Sequence, residues 1–146
     1  MRVFVLDDMD TRLVYFQKWY EDKHDYTEAK DARHAIKTMR DAPKFDVYFL
    51  DHDLNPDHYD DSGSNMGGYG APPPEKSWGT GMDVCQFIVS ELPVEKRPKL
   101  VVCHSWNSSA ADEMAHKLAD AGIRVAIYMY KPGPSFLNLE EHVEKK

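Results

Sequence analysis

The chain has 146 residues, 42% of them hydrophobic, a size and composition that predict one domain over 1–146 with a core of its own. A formal net charge of -7 without any Lys/Arg cluster excludes the basic footprint on which binding to long duplex nucleic acid rests. No apolar run approaches membrane-spanning length, and MRVFVLDD is too short and too acidic for a secretion signal.

Residues 2–6 predict a strand that is apolar at consecutive positions, as a parallel strand covered on both faces should be. Over 11–22, Leu13, Phe16, Trp19 and Tyr20 recur near helical spacing, with Asp10 or Thr11 as the expected N-cap. HDYTEA (24–29) is a weak second strand. Asp31 is expected to cap a helix carrying Ala32, Ala35, Ile36 and Met39, which ends before Pro43. Strands follow at 45–50, 99–103 and 123–129, and helices at 82–91 and 108–121, the last with Ser108 at its start and Gly122 past its end. The tail NLEEHVEKK predicts a short peripheral helix. Cys85 and Cys103 lie in apolar runs and read as reduced core residues, the usage of a cytoplasmic protein.

This alternation predicts a doubly wound, five-stranded parallel sheet with right-handed crossovers. One segment departs from it. Residues 54–80 are long for a connection in a compact domain, six of the eight glycines lie between 63 and 81, and PPP occupies 72–74. The segment leaves the sheet after the third strand, so it is a candidate lid. Its Trp78, Tyr69 and Tyr59 either stack on a nucleobase or pin the loop to the surface.

Polar residues close four of the strands: Asp7 and Asp8, Asp51 with His52 and Asp53, His104 with Ser105 and Asn107, and Lys131 before Pro132. In an open parallel sheet these ends share one edge, where ligands bind. Asp7, Asp8, Asp51 and Asp53 are candidate oxygen ligands for a divalent cation, Mg²⁺ or Mn²⁺. An imidazole from His52 or His104 would move the preference toward Mn²⁺, Fe or Zn²⁺. Ser105 and Asn107 precede a helix N-terminus, which presents free N–H groups to anions; capping that helix would explain them equally well. A histidine titrates at about 6.5, so His104 or His52 suits proton transfer at neutral pH. Lys131 would pair with the carboxylates or with phosphate.

VFVLDD, VYFLD and YKP, in that order, resemble the first strand, third strand and lysine-proline of the receiver domain of response regulators. LDHDL, GTGMDVCQFI and HSWN leading into a helix with Met114 are similar to a divergent branch, the cyclic-phosphate processing receiver family. The resemblance implies the flavodoxin-like strand order 2-1-3-4-5, with Asp7, Asp8 and Asp51 at its switch point and Asp51 in the phospho-accepting place. It also implies a bond before Pro132 that is cis in many receivers. For function it implies a metal-dependent phosphoesterase acting on a cyclic phosphate, at an RNA 2′,3′-cyclic end or on a small anionic nucleotide. Asp51, His52, His104 and Lys131 would be its catalytic residues, and Ser105, Asn107, Lys131 and Trp78 would hold the substrate. Two other readings stand beside it: a stand-alone phospho-accepting receiver, and a module that sequesters a nucleotide without turnover.

Overall fold

The strands are β1 (Arg2–Leu6), β2 (Asp25–Ala29), β3 (Val47–Leu50), β4 (Leu100–Cys103) and β5 (Val125–Ile127), all apolar runs but the polar edge strand β2. All neighbouring pairs are parallel, in the order β2-β1-β3-β4-β5. The helices are α1 (Asp10–Tyr20), α2 (Ala32–Asp41), α3 (Gly81–Ser90) and α4 (Ser108–Asp120), with a 3₁₀ turn at Val94–Lys96. This computed structural model describes residues 1–52 and 80–131. Within them the fold is the flavodoxin-like α/β arrangement, with its switch point between β1 and β3.

The pleat sorts each strand between two cores. Val3 and Val5, Val47 and Phe49, and Leu100 and Val102 face α1, where they pack with Leu13, Phe16, Tyr20 and Tyr130. Phe4 and Leu6, Tyr48 and Leu50, and Val101 and Cys103 face the other way, onto α2, α3 and α4 through residues such as Met39, Ile88, Met114 and Leu118. This is why β3, β4 and Val3–Leu6 of β1 are apolar at every position. Each fully buried side chain of the size of Phe49 or Leu50 contributes about 1.5–3 kcal/mol relative to exposure. Both cysteines are free and buried, and burial raises their thiol pKa values, so they stay protonated as core residues.

The element ends follow local chemistry, with some corrections. Asp31 caps α2 as expected, its Oδ1 accepting from the His34 N–H at 2.8 Å. Gly122, at φ +85, follows α4 in the left-handed conformation that glycine adopts without steric penalty. α1, however, begins after Met9, which offers no side-chain cap. Asp10 is instead the first helical residue, where its charge complements the helix dipole. α3 starts at Gly81, one residue early, because Thr80 and Asp83 form a capping box. α4 starts at Ser108, but its cap is Asn107. β3 begins at Val47 and β5 is only Val125–Ile127, although Tyr128 and Tyr130 still donate to the Cys103 and His104 carbonyls. The expected tail helix, the bond before Pro132 and most of the 54–80 loop lie outside the described residues.

Candidate functional site

The strand register builds the site. Leu6 pairs with Leu50, and Leu50 with Cys103. One step beyond that rung stand Asp7, Asp51 and His104, and the Asp51 and His104 N–H groups still donate to the Leu6 and Leu50 carbonyls. Adjacent strands lie about 4.8 Å apart, so three neighbouring side chains of the same pleat parity must converge. One ligand-type atom from each of Asp7, Asp51 and His104 lies within 4.8 Å of the others. Their parity is that of the α1 face, which is why the His104 ring meets Phe16 edge-on at a centroid distance of 5.0 Å.

The cluster is enclosed. Asp7 and His104 are 0% exposed and Asp51 3%. His104 Nε2 lies 2.8 Å from Asp7 Oδ2. Arg12 Nη1 lies 3.4 Å from Asp7 Oδ2 and 3.7 Å from Asp51 Oδ2. The Asp51 carboxyl is pushed up to about 6, first by burial and then by the negative charges of Asp7 and Asp8, against the opposing pull of His104 and Arg12. Among the described residues, the buried His104 Nδ1 has no hydrogen-bond partner. An unmet buried group of this kind costs about 1–3 kcal/mol, so stability alone does not account for this histidine.

Two carboxylates and an imidazole at this spacing suit a small divalent cation. The charge balance agrees, since two enclosed carboxylates require a positive partner and Arg12 meets both only at long range. Asp7 and Asp51 would be the oxygen ligands, with His104 Nε2 available as a nitrogen ligand if it gives up its bond to Asp7.

The structure sorts the residues singled out in the sequence. Asp7, Asp51 and His104 come together. Asp8 stands outside that group; it follows the end of β1, in a bend, is half-buried, and acts on Asp51 through its charge. His52 lies in the bend that follows Asp51. It is half-buried, and its carbonyl accepts from the Gly81 N–H at 3.0 Å, closing the neck of the long loop. The buried Ser105 Oγ accepts from the Asn107 N–H, and Asn107 Oδ1 accepts from the Ala110 N–H, so both serve the start of α4. The Ser105 hydroxyl proton remains available to an oxygen ligand. Lys131 is exposed and makes no ion pair with the described residues; the cation in contact with both carboxylates is Arg12. Asp53, Trp78, Tyr69 and Tyr59 lie outside the described residues.

Two site residues escape the sequence reading. Arg12 is 9% exposed and shares the buried stripe of α1 with Phe16 and Tyr20, at i, i+4 and i+8. A charge on an apolar stripe was the available signal. Gly81 is the second. A Cβ there would lie 2.2 Å from the Asp51 carbonyl oxygen and 2.9 Å from Met114 Cε, so glycine alone lets α3 start against the site.

The family model described as "Cyclic-phosphate processing Receiver domain" matches residues 1–120. The chain belongs to this family. Among solved structures it is similar to a signal receiver domain from Vibrio parahaemolyticus, with TM-score 0.57, 19% identity, and coverage of 91% of this chain and 79% of that one. It is also similar to a CheY-like response regulator receiver domain protein from Methanospirillum hungatei JF-1, with TM-score 0.57, 16% identity, and coverage of 99% and 88%. A third likeness is to the response regulator TrrA from Thermotoga maritima in complex with Mg²⁺ and BeF, with TM-score 0.56, 14% identity, and coverage of 99% and 94%. At these identities the likeness is one of fold. No curated protein matches the chain. Among the described residues no helix is long and apolar enough to cross a membrane.

Proposed function

We propose that this protein is a metal-dependent phosphoesterase that opens a cyclic phosphate on a small anionic nucleotide or at an RNA 2′,3′-cyclic end. The observation that carries the reading is the convergence of Asp7, Asp51 and His104, from three neighbouring strand ends, into one enclosed cluster at the switch point. The family's name supports the substrate class. The TrrA complex, which holds Mg²⁺ in the same fold, supports magnesium, with manganese the alternative that one imidazole favours.

A divalent cation held by Asp7 and Asp51 would supply Lewis-acid polarisation of the phosphoryl group and lower the pKa of the water whose oxygen forms the new P–O bond as the bond to the ribose oxygen breaks. The chain's own residues provide the rest. His104 fixes Asp7 through its Nε2 contact and has no exposed surface. Proton delivery to the leaving ribose oxygen therefore falls to His52, which follows Asp51 and is half-buried. The Ser105 hydroxyl and free N–H groups at the start of α4 would be the donors to developing charge on the phosphoryl oxygens. Lys131, exposed at the same edge, is a further cation for the substrate phosphate. Asp53 and Trp78 keep their proposed parts as a further carboxylate and a base-stacking aromatic.

The test is a panel of linear and cyclic nucleotides incubated with Mg²⁺ or Mn²⁺ and separated by chromatography. Ring opening of a cyclic phosphate, lost on adding chelator, is the expected result. No product from any of them would sink the reading. A second reading, the phospho-accepting receiver, is favoured by the position of Asp51 at the end of β3 in a receiver fold. It predicts a stable acyl-phosphate on Asp51 after incubation with acetyl phosphate and no turnover of the panel. Tight nucleotide binding without either outcome would favour sequestration.

A further inference from the structure

Arg12 occupies a position that helix electrostatics disfavour. It lies in the first turn of α1, where the positive end of the helix dipole repels a cation. It is nevertheless nearly enclosed, with only 9% of its surface exposed. Its guanidinium carbon lies 4.8 Å from the Trp106 ring centroid and 5.2 Å from that of Tyr130, and the Trp106 indole N–H donates to the Tyr130 carbonyl at 2.8 Å. These two rings, Tyr130 buried and Trp106 59% exposed, form a rail that holds the charge beside the strand ends.

Along that rail the guanidinium meets both carboxylates without being tightly bonded to either. The 3.4 and 3.7 Å separations exceed the ~2.7–2.9 Å of a charge-assisted hydrogen bond. The charge thus serves the pair, and a small shift would release it. A divalent cation between Asp7 and Asp51 would take over that role and repel the guanidinium. A phosphoryl group arriving there would offer it two oxygens in the geometry that its fork fits.

We propose that Arg12 is the built-in counter-cation of this site. It neutralises Asp7 and Asp51 in the metal-free protein, competes with the divalent ion for them, and turns onto the phosphoryl oxygens once the ion is bound. This rests on the metal reading of the site given above, yet it fails separately from it.

The experiment is calorimetric titration of the full chain with Mn²⁺ alone, then with inorganic phosphate at saturating Mn²⁺, for wild type, Arg12→Gln and Arg12→Lys. Arg12→Gln removes the charge but keeps most of the length and a hydrogen-bonding end. It should raise Mn²⁺ affinity by roughly tenfold or more and lower phosphate affinity by roughly tenfold. Arg12→Lys keeps the charge and loses the fork. It should leave Mn²⁺ affinity within about threefold of wild type while phosphate binding still weakens. Circular dichroism establishes that each variant is folded. Should Arg12→Gln fail to fold, Arg12→Lys decides on phosphate, and an unchanged phosphate affinity there overturns the proposal. Equal or weaker Mn²⁺ binding by folded Arg12→Gln overturns it while the metal site stands. No Mn²⁺ binding by any of the three proteins overturns the metal reading, and this proposal with it.

Discussion

Two Asp–His pairs lie at the carboxyl edge of this sheet, and they differ in almost everything except distance. Asp31 and His34, after β2, meet at 2.7 Å; Asp7 and His104, after β1 and β4, meet at 2.8 Å. The first pair spans three residues, and the side chain of His34 is 73% exposed. The Asp31 carboxylate is occupied as the cap of α2. The second pair spans 97 residues and both side chains are 0% exposed. It has another carboxylate and an arginine against it, and an imidazole nitrogen with no partner among the described residues. Helix geometry alone produces the local pair. The enclosed pair carries an electrostatic penalty that the fold does not need, and such penalties concentrate where chemistry is done.

The largest effect that would break this comparison is on turnover. With a cyclic-phosphate substrate and metal, Asp51→Asn, His104→Ala and His52→Ala should each lose at least about 10²–10⁴-fold in kcat/KM. His34→Ala should keep wild-type turnover. Steady-state kinetics on folded variants checks this. Equal losses for His34→Ala and His104→Ala would erase the distinction between the two pairs.

The next effect concerns pH. Burial, then the neighbouring negative charges, pushes Asp51 up from 3.8 to about 6. Between those values the native state holds a proton that the unfolded chain has lost. The group's contribution to stability therefore falls as pH rises through that window and is a net penalty above it. Metal-free Asp51→Asn should accordingly be more stable than wild type at pH 7.5, with the difference vanishing below about pH 4 in chemical denaturation. Metal binding requires the deprotonated carboxylate. The Mn²⁺-induced rise in Tm should thus be larger at pH 7.5 than at pH 5 for wild type and largely absent in Asp51→Asn. A rise independent of pH would place the metal elsewhere. Asp31, bonded to its helix N–H, should show no such metal dependence.

A third effect falls on the packing around the enclosed pair. Gly81→Ala would force a methyl into the Asp51 carbonyl, so α3 must shift away from the site. Overpacking of this kind costs about 1–3 kcal/mol. Thermal denaturation should show the loss, and Mn²⁺ affinity should fall with it because the displaced backbone carries Asp51. Gly122→Ala meets no neighbouring atom and is strained only through its φ of +85, so it should lower stability and leave Mn²⁺ affinity unchanged.

The same contrast explains what was legible in the sequence. The strands were readable because both faces are covered, so every position in Val3–Leu6 and Val47–Leu50 is apolar. The switch point followed from the polar residues that close them. Membership of the site was less legible, because it depends on register and pleat parity across strands far apart in sequence. Asp7 and Asp8 look equivalent as neighbours, yet only Asp7 joins Asp51 and His104 in the enclosed cluster. Parity was available from Val3, Val5 and Asp7, or from Leu100, Val102 and His104, once the strands were aligned. Arg12 was harder to find, since its meaning depends on α1 crossing that same face. Lys131 drew attention as a basic residue at a strand end, but the electrostatic need at the carboxylates is met from a helix.

The smallest effect separates capping from chemistry at the local pair. Asp31→Ala removes the acceptor for the His34 N–H and should lower stability by about 0.5–2 kcal/mol. Asp31→Asn retains a capping oxygen and should recover most of that loss, because the cap requires an acceptor more than a charge. Neither change should alter Mn²⁺ affinity or turnover by more than about twofold, since Asp31 lies beside β2, at the far side of β1 from Asp51. Denaturant titration and calorimetry together check this. A parallel loss of metal binding in Asp31→Ala and its absence in Asp31→Asn would mean that α2 transmits the cap to the site, and the two edges would then have to be treated as one unit. Stability lost without any change in metal affinity would leave Asp31–His34 as a helix cap, and Asp7–His104 as the pair whose penalty the proposed chemistry explains.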